Sequence, residues 1–389
     1  MDAEAYKKPI YADNAATTKM SETALRAYID CAAKAFANPS SDHEAGMEAK
    51  KYLEEARKTV GDAFSAENGK VIFTSGGSEA DNQAIISAAE YGKTLCKKHI
   101  ITTSFEHHAV LKTVKSLEDA GFEATYLPIQ KNGTVKLADV EKAFREDTFL
   151  VSVMAVNNEV GTIQPIKQIG RLCKKHGVLF HVDGVQAAGK IPINIEDFNI
   201  DYLAISAHKF RGPKGVGALI TSEKAPLTPL ILGGSQEFSL RAGTENVQSV
   251  YSMAKALDEA INNMERDAEY VASLRNRLEK GLLQIPGTAV NGDLKKRIPG
   301  TLSIAFGGVN GKSLLFMLDA AEHIRASGGA ACTSGDGQPS YTLKAMGLSD
   351  ERAFSSLRFS LSADNTPSDV ERIISAAARC VEKLKEQKR

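Results

Sequence analysis

Asp183, in His181-Val182-Asp183-Gly184-Val185-Gln186, and Lys209, in Ser206-Ala207-His208-Lys209, are the two groups in this chain that pair best as chemistry. A lysine amine can condense with an aldehyde. A carboxylate can hold a ring nitrogen protonated, so that the ring accepts electrons from a substrate carbon. Upstream, Thr74-Ser75-Gly76-Gly77-Ser78-Glu79-Ala80 joins a strand pattern to a helix pattern. Small residues and free backbone N–H groups at such a helix start form an anion site into which a phosphate would fit. Singly, each feature has a plainer reading: a tight turn with Ser78 as N-cap, a surface lysine, a capping aspartate. Together they match the needs of pyridoxal phosphate, which are a phosphate loop, a partner for the ring nitrogen and an amine for the aldehyde. No Gly-Lys-Ser or Gly-Lys-Thr follows the glycine pair, which argues against a P-loop.

Two further signals lie nearby. Glu106-His107-His108 follows an apolar strand pattern. An imidazole there could stack on a cofactor ring and move protons near neutral pH, and of the two adjacent histidines His107 is taken to face the site. The stretch from Arg325 to Gly337 is small, polar and glycine-rich, and it carries Cys332. A thiolate on a loop of that composition could attack one partner and present the product to another. Cys173 and Cys380 sit in helical patterns and read as core.

These residues need elements to hold them. Apolar runs at Val71–Thr74, His99–Thr103, Ala124–Pro128, Phe149–Val156, Val178–Val182, Tyr202–Ser206 and Val216–Ile220 read as strands. Helical patterns at Ser78–Glu90, Ala109–Ala120 and Ile166–His176 separate them. Continuous apolar strands alternating with amphipathic helices predict a mostly parallel sheet covered on both faces. In such sheets ligands bind beyond the carboxyl ends of the strands, where Asp183, Lys209, His107 and the glycine turn all fall. Two long helical patterns, Gln248–Glu265 and Glu269–Gln284, lead to a smaller α+β segment with strand-like Gly300–Phe306 and Ser356–Ser360, and a last helix spans Ser368–Lys385.

The chain has 389 residues, 43% hydrophobic and 25% charged, which is the composition of a globular protein of two or three domains. Lys+Arg and Asp+Glu are 48 each, so no bulk charge draws it to nucleic acid or an anionic membrane. No apolar run approaches the roughly 18 residues of a membrane helix, and the start lacks a signal-peptide pattern. A cytoplasmic protein is expected, with its five scattered cysteines reduced and no zinc-type spacing among them.

Taken together, the chain resembles the NifS/IscS-like cysteine desulfurases, in the class-V aminotransferase group of fold-type-I pyridoxal phosphate enzymes. The resemblance runs from Ile10-Tyr11-Ala12-Asp13-Asn14-Ala15-Ala16-Thr17-Thr18 to Arg358-Phe359-Ser360. It is carried by Phe73-Thr74-Ser75-Gly76, Glu106-His107, Val156-Asn157-Asn158-Glu159-Val160-Gly161, His181-Val182-Asp183, Ser206-Ala207-His208-Lys209, Arg241-Ala242-Gly243-Thr244 and Ala331-Cys332-Thr333-Ser334. It implies an α/β fold with a mostly parallel seven-stranded sheet, helices on both faces, and a smaller α+β domain. Residues 15–260 would form the large domain; residues 1–14 and 261–389 would form the small one.

The resemblance further implies that Lys209 is the Schiff-base lysine, and that Asp183 and Gln186 hold the ring nitrogen and phenolic oxygen. Gly77, Ser78, Ser206 and His208 would hold the phosphate, with Thr244 donated by the second subunit of a homodimer. His107 would stack on the ring, Asn158 would lie beside it, and Arg358 would clamp the substrate carboxylate. Cys332 would carry a persulfide drawn from L-cysteine and pass it to an acceptor protein, for iron–sulfur cluster assembly or for thiolation of a cofactor or tRNA. The spacing from Cys332 to Pro339-Ser340-Tyr341 resembles the long-loop members. The chain departs from the family at Gly328-Gly329-Ala330-Ala331, where a serine-rich run is usual, and at Ala12. It ends at Arg389, short of the tail by which some members bind a scaffold. The alternatives are a selenocysteine lyase, a small aminotransferase, which would not need Cys332, and a silent binding platform, which would be expected to have lost Lys209 or Asp183.

Overall fold

The computed structural model describes residues 8–328 and 338–387. In chain order the strands are β1 (Ile10–Tyr11), β2 (Lys70–Thr74), β3 (His99–Thr103), β4 (Glu123–Leu127), β5 (Thr148–Ser152) and β6 (Leu179–Asp183). They continue with β7 (Tyr202–Ser206), β8 (Gly217–Thr221), β9 (Thr288–Asn291), β10 (Thr301–Phe306), β11 (Ile324–Arg325) and β12 (Ser356–Ser360). Seven of them make one sheet in the order β2-β8-β7-β6-β5-β3-β4. All its pairings are parallel except those of β8, which runs antiparallel to both β2 and β7. The expected mostly parallel seven-stranded sheet is therefore present.

Both faces of this sheet are dry, because successive strand residues point to opposite sides and both sides meet helices. Ile72, Ile100, Leu150, Ala204 and Leu219 pack with Ala80, Ala84, Ile85 and Ala88 of the helix Gly77–Thr94. Their neighbours Phe73, Ile101, Val151, Leu203 and Ile220 belong to the opposite cluster, with Ile169 of the helix Ile166–His176 and Val250, Met253 and Leu257 of the helix Val247–Asn262. Gly177, at φ 64°, ends the former helix in the left-handed conformation that glycine takes without steric cost. Two helices absent from the sequence expectation, Glu22–Lys34 and Glu44–Ala63, pack on Val247–Asn262.

A second sheet, in the order β12-β10-β9, is fully antiparallel. It shares an apolar cluster with the helices Met264–Leu282, Gly311–Glu322 and Pro367–Glu386. The last of these starts with a capping box between Thr366 and Asp369 and a proline in the first turn. The short β1 joins this cluster from the other end of the chain: it pairs in parallel with β11, and Ile10 and Ala12 are buried there. Strand ends moved in two informative places. The run expected to reach Val156 ends as a strand at Ser152, although the amides of Val153 and Ala155 still donate to the carbonyls of His181 and Asp183 in β6. The expected break in the long helical stretch falls at Asn263. Among the described residues no helix is long and apolar enough to cross a membrane.

Candidate active site

The carboxyl ends of β2, β3, β6 and β7 open into a cavity of about 310 Å³. It is lined by Gly77, Ser78, His107, Asn158, Asp183, Gln186, Ser206, His208, Lys209 and Arg358, together with Asp81, His108, Val185 and Tyr341. Ten of the twelve residues singled out in the sequence therefore meet in one place. Thr244 lies outside it, exposed on the loop after Arg241. Cys332 lies outside the described residues.

The helix Gly77–Thr94 begins at the cavity with no side chain capping its first turn. Its free amides and positive end of the helix dipole face the lining. Gly77 has no room for a side chain, since a Cβ there would come within 2.5 Å of Val185 Cγ2. Gly217 is held just as closely, where β8 passes Thr74 and Ser206: a Cβ would fall 2.5 Å from the Ile205 carbonyl and 2.8 Å from the backbone of Gly76. The glycine turn is thus a backbone cradle, as an anion site requires.

Asp183 ends β6 and is buried, accepting the Val185 amide at Oδ1 (2.9 Å). Burial raises its pKa, while His107, the Val185 amide and Lys209 pull the other way. A cationic partner at this carboxyl would favour the ionised form. His107 caps the helix His108–Asp119, its Nδ1 accepting the amide of Ala109 at 3.1 Å. That bond leaves the neutral ring's proton on Nε2. Burial lowers its pKa, so the ring is uncharged near neutral pH.

Lys209 sits in a single 3-10 turn after β7. Its amine donates to the carbonyls of Ala15 (2.8 Å) and Ala16 (2.7 Å). The Asp13–Thr18 segment is laced to the same turn: the Thr18 hydroxyl and amide donate to the His208 carbonyl, and His208 Nδ1 lies 3.1 Å from Thr17 Oγ1. Burial, with Lys209, Lys214 and Lys190 nearby, pushes the His208 pKa down to about 4.

Arg358 comes from β12 of the second sheet and is 2% exposed. Its Nη2 donates to Asp13 Oδ1 (2.7 Å) and its Nη1 to the Asn158 carbonyl (2.8 Å). Three buried polar side-chain atoms of the lining have no hydrogen-bond partner among the described residues: Arg358 Nε, Asn158 Oδ1 and Asp81 Oδ1. A ligand in this cavity would supply partners to such atoms. The backbone of Arg358 exchanges both hydrogen bonds with Ser327, and beyond the undescribed stretch Tyr341 lines the cavity, its hydroxyl donating to the Glu106 carbonyl (2.8 Å). The segment that carries Cys332 therefore leaves and re-enters the described chain at the rim of the site.

Sequence reading missed Asp81 and Tyr341. Asp81 is one turn after Ser78 on the same helix, a spacing that puts both on one face. It is buried, with Oδ1 3.3 Å from His181 Nε2, and His181 Nδ1 lies 2.8 Å from Ser152 Oγ. Burial raises the Asp81 pKa and lowers that of His181 to about 3. Tyr341 had no local signal, being brought in from a distant part of the chain.

Pyridoxal phosphate fits this set: an uncapped helix start and glycine cradle for the phosphate, a buried carboxyl for the ring nitrogen, a neutral imidazole for the ring face, and an amine within the same cavity. Known proteins agree. The aminotransferase class-V family profile matches residues 10–373. A cysteine desulfurase IscS of Methanosarcina thermophila is 44% identical over 378 residues, covering 97% of this chain and 93% of the relative. A solved NifS-like protein superposes with a TM-score of 0.90 at 37% identity, covering 97% of this chain and all of that one. A solved SspA in complex with cysteine gives a TM-score of 0.80 at 32% identity, over 92% of this chain and 99% of that one. The chain belongs to the NifS/IscS-like cysteine desulfurases of the class-V aminotransferase family, which are pyridoxal phosphate enzymes.

Proposed function

We propose that this chain is an L-cysteine desulfurase, which converts L-cysteine to L-alanine and retains the sulfur as a persulfide on Cys332. The observation that carries the reading is the convergence of Lys209, Asp183 and Arg358 on one cavity whose rim anchors both sides of the Cys332 segment. Gly77, Ser78, Ser206 and His208 hold the cofactor's phosphate, His107 covers its ring, and Asp183 and Gln186 take the ring nitrogen and phenolic oxygen. When bound, pyridoxal phosphate supplies an electron sink for the substrate Cα.

The residues of the chain then have distinct tasks. Arg358, already fixed by Asp13 and the Asn158 carbonyl, receives the substrate carboxylate at its remaining N–H groups. Lys209 removes the Cα proton, its amine being positioned by the Ala15 and Ala16 carbonyls. Cys332 thiolate attacks the substrate sulfur. The sulfur–sulfur bond forms as the substrate C–S bond breaks. The electron pair left on Cβ takes the proton that Cys332 gave up on ionising, delivered through His107 or Lys209, and Lys209 returns the Cα proton before alanine leaves. One sulfur atom is transferred, alanine leaves, and no external oxidant is consumed. An acceptor protein then takes the terminal sulfur, for iron–sulfur cluster assembly or for thiolation.

We further propose a cytoplasmic homodimer in which Thr244, exposed on a loop whose Ala242 and Gly243 amides bond Ile231 and Gln236, completes the phosphate site of the second copy. The large α/β domain spans residues 15–260, and residues 1–14 with 261–389 form the small one.

The test is to compare the wild type with Cys332→Ser after loading with pyridoxal phosphate. Mixed with L-cysteine, the wild type releases alanine and acquires a persulfide label. The serine variant still changes colour on mixing, because Lys209, Asp183 and Arg358 are intact, yet it releases almost no alanine and takes no label. Full alanine release by the variant would overturn the reading.

A further inference from the structure

Behind the cofactor cavity lies a second one, also about 310 Å³, and Lys209 lines both. Lys190 lines only the rear cavity. It is partly buried, and it forms no ion pair among the described residues. Its amine donates to Gln186 Oε1 (3.3 Å), and Gln186 Nε2 donates in turn to the Ala15 carbonyl (2.8 Å). That carbonyl is the acceptor that also takes the Lys209 amine. One hydrogen-bonded chain therefore joins Lys190, Gln186, Ala15 and Lys209.

The chemistry of its ends sets the direction of the Gln186 amide. An ammonium only donates and a carbonyl only accepts. Oε1 must therefore face Lys190 and the amide nitrogen must face Ala15, which leaves one N–H of Gln186 for an acceptor in the cofactor cavity. A positive charge at Lys190 acts on the same groups through space. It favours negative charge on an oxygen beside Gln186, and it disfavours positive charge on the Lys209 nitrogen.

We propose that Lys190 is a positioning residue that places a cation behind the cofactor site, orients Gln186 toward the ring oxygen, and biases the Lys209 nitrogen toward its uncharged state. This rests on the assignment of the front cavity to pyridoxal phosphate. Burial pushes the Lys190 pKa down to about 7, with Lys209 and Arg358 adding repulsion, so the charge titrates near neutral pH. The other charged groups of the rear cavity are largely matched among themselves, Arg211 with Asp364 and Arg266 with Asp267. Glu259 also lines it and accepts the Thr23 hydroxyl.

The experiment is a pH titration of the visible absorbance of the pyridoxal phosphate-loaded protein, for wild type, Lys190→Met, Lys190→Gln and Lys190→Arg. Glutamine keeps a donor for Gln186 without the charge, and arginine keeps the charge. The absorbance midpoint rises in the methionine and glutamine variants, by on the order of one pH unit, and stays at or below the wild-type value in the arginine variant, whose charge does not titrate. Thermal unfolding of each loaded protein shows that the comparison is between folded states. Methionine and glutamine variants that titrate with the wild type would overturn the proposal. So would a wild-type midpoint in the glutamine variant beside a shifted one in methionine, since orientation without charge would then suffice. A wild-type protein that takes up no coloured cofactor would instead refute the assignment of the front cavity.

Discussion

Replacing Arg358 by lysine isolates the carboxylate-binding role from the bare charge. The guanidinium has five N–H donors in a rigid plane. Two are committed, one to Asp13 and one to the Asn158 carbonyl, and Nε has no partner. Three N–H donors remain, enough for a substrate carboxylate to be taken by two of them. A lysine ammonium at this position keeps the attraction to Asp13 but offers a point charge in place of a fork. The expected loss is one charge-assisted hydrogen bond, about 1.5–3 kcal/mol, or roughly 10- to 100-fold in kcat/KM. It should fall mainly on KM, because the carboxylate is held equally before and during the chemistry. The assay is alanine release against L-cysteine concentration, beside sulfur release from cysteamine, which has no carboxylate. Arg358→Lys should lose its preference for cysteine by the same factor and leave cysteamine turnover unchanged. Equal losses on both substrates would show that Arg358 acts by holding Asp13 and Asn158 in place. An unchanged KM for cysteine in a folded variant would refute the carboxylate contact altogether.

Asp183→Asn should retain part of its cofactor but release alanine roughly 10- to 1000-fold more slowly, since an opposite charge at this range is worth on the order of one to three pKa units; an unchanged rate would contradict its pairing with the ring nitrogen. Arg57→Met should lower stability by about 3–5 kcal/mol, because it strands the buried Glu237 carboxylate, which Arg57 binds through two nitrogens at 2.9 and 2.8 Å. Glu237, Phe238 and Ser239 all have left-handed φ, at 46°, 60° and 62°, a backbone that the clamp helps hold; denaturant unfolding with an unchanged midpoint would refute this. His181 supplies the pH prediction. Burial lowers its pKa from 6.5 to about 3, so between those values the unfolded chain binds the extra proton. Its contribution is complete above pH 6.5 and is lost as pH falls toward 3. His181→Gln should therefore have a flatter acid limb in unfolding temperature against pH than the wild type. The comparison is made as a difference because Glu106, pushed up to about 8 by burial, acts with the opposite sign and loses stability as pH rises from 4.5 toward 8.

What could be read from the sequence was local. An apolar run followed by a glycine pair and a helix pattern encodes its own strand, turn and helix start, which is why the residues around Gly77 and Ser78 stand where they were expected. Asp183 and Lys209 were legible for the same reason, each closing a strand of a sheet buried on both faces. The helices Glu22–Lys34 and Glu44–Ala63 were not legible, although Ser21 caps the first of them, because few of their residues are buried and their apolar stripe is thin among polar neighbours. Tertiary structure alone decided the rest. Arg358 meets Asp13 across 345 residues and the Asn158 carbonyl across 200, and no periodicity encodes contacts of that separation. The same holds for the Asp13–Thr18 segment against the Lys209 turn, for Tyr341 against Glu106, and for the partnerless oxygen of Asn158. A short-range pattern records which face of an element is buried. Packing of whole elements determines which polar groups from distant segments share one cavity and which buried polar atoms keep no partner, as Arg358 Nε and Asn158 Oδ1 do at this site.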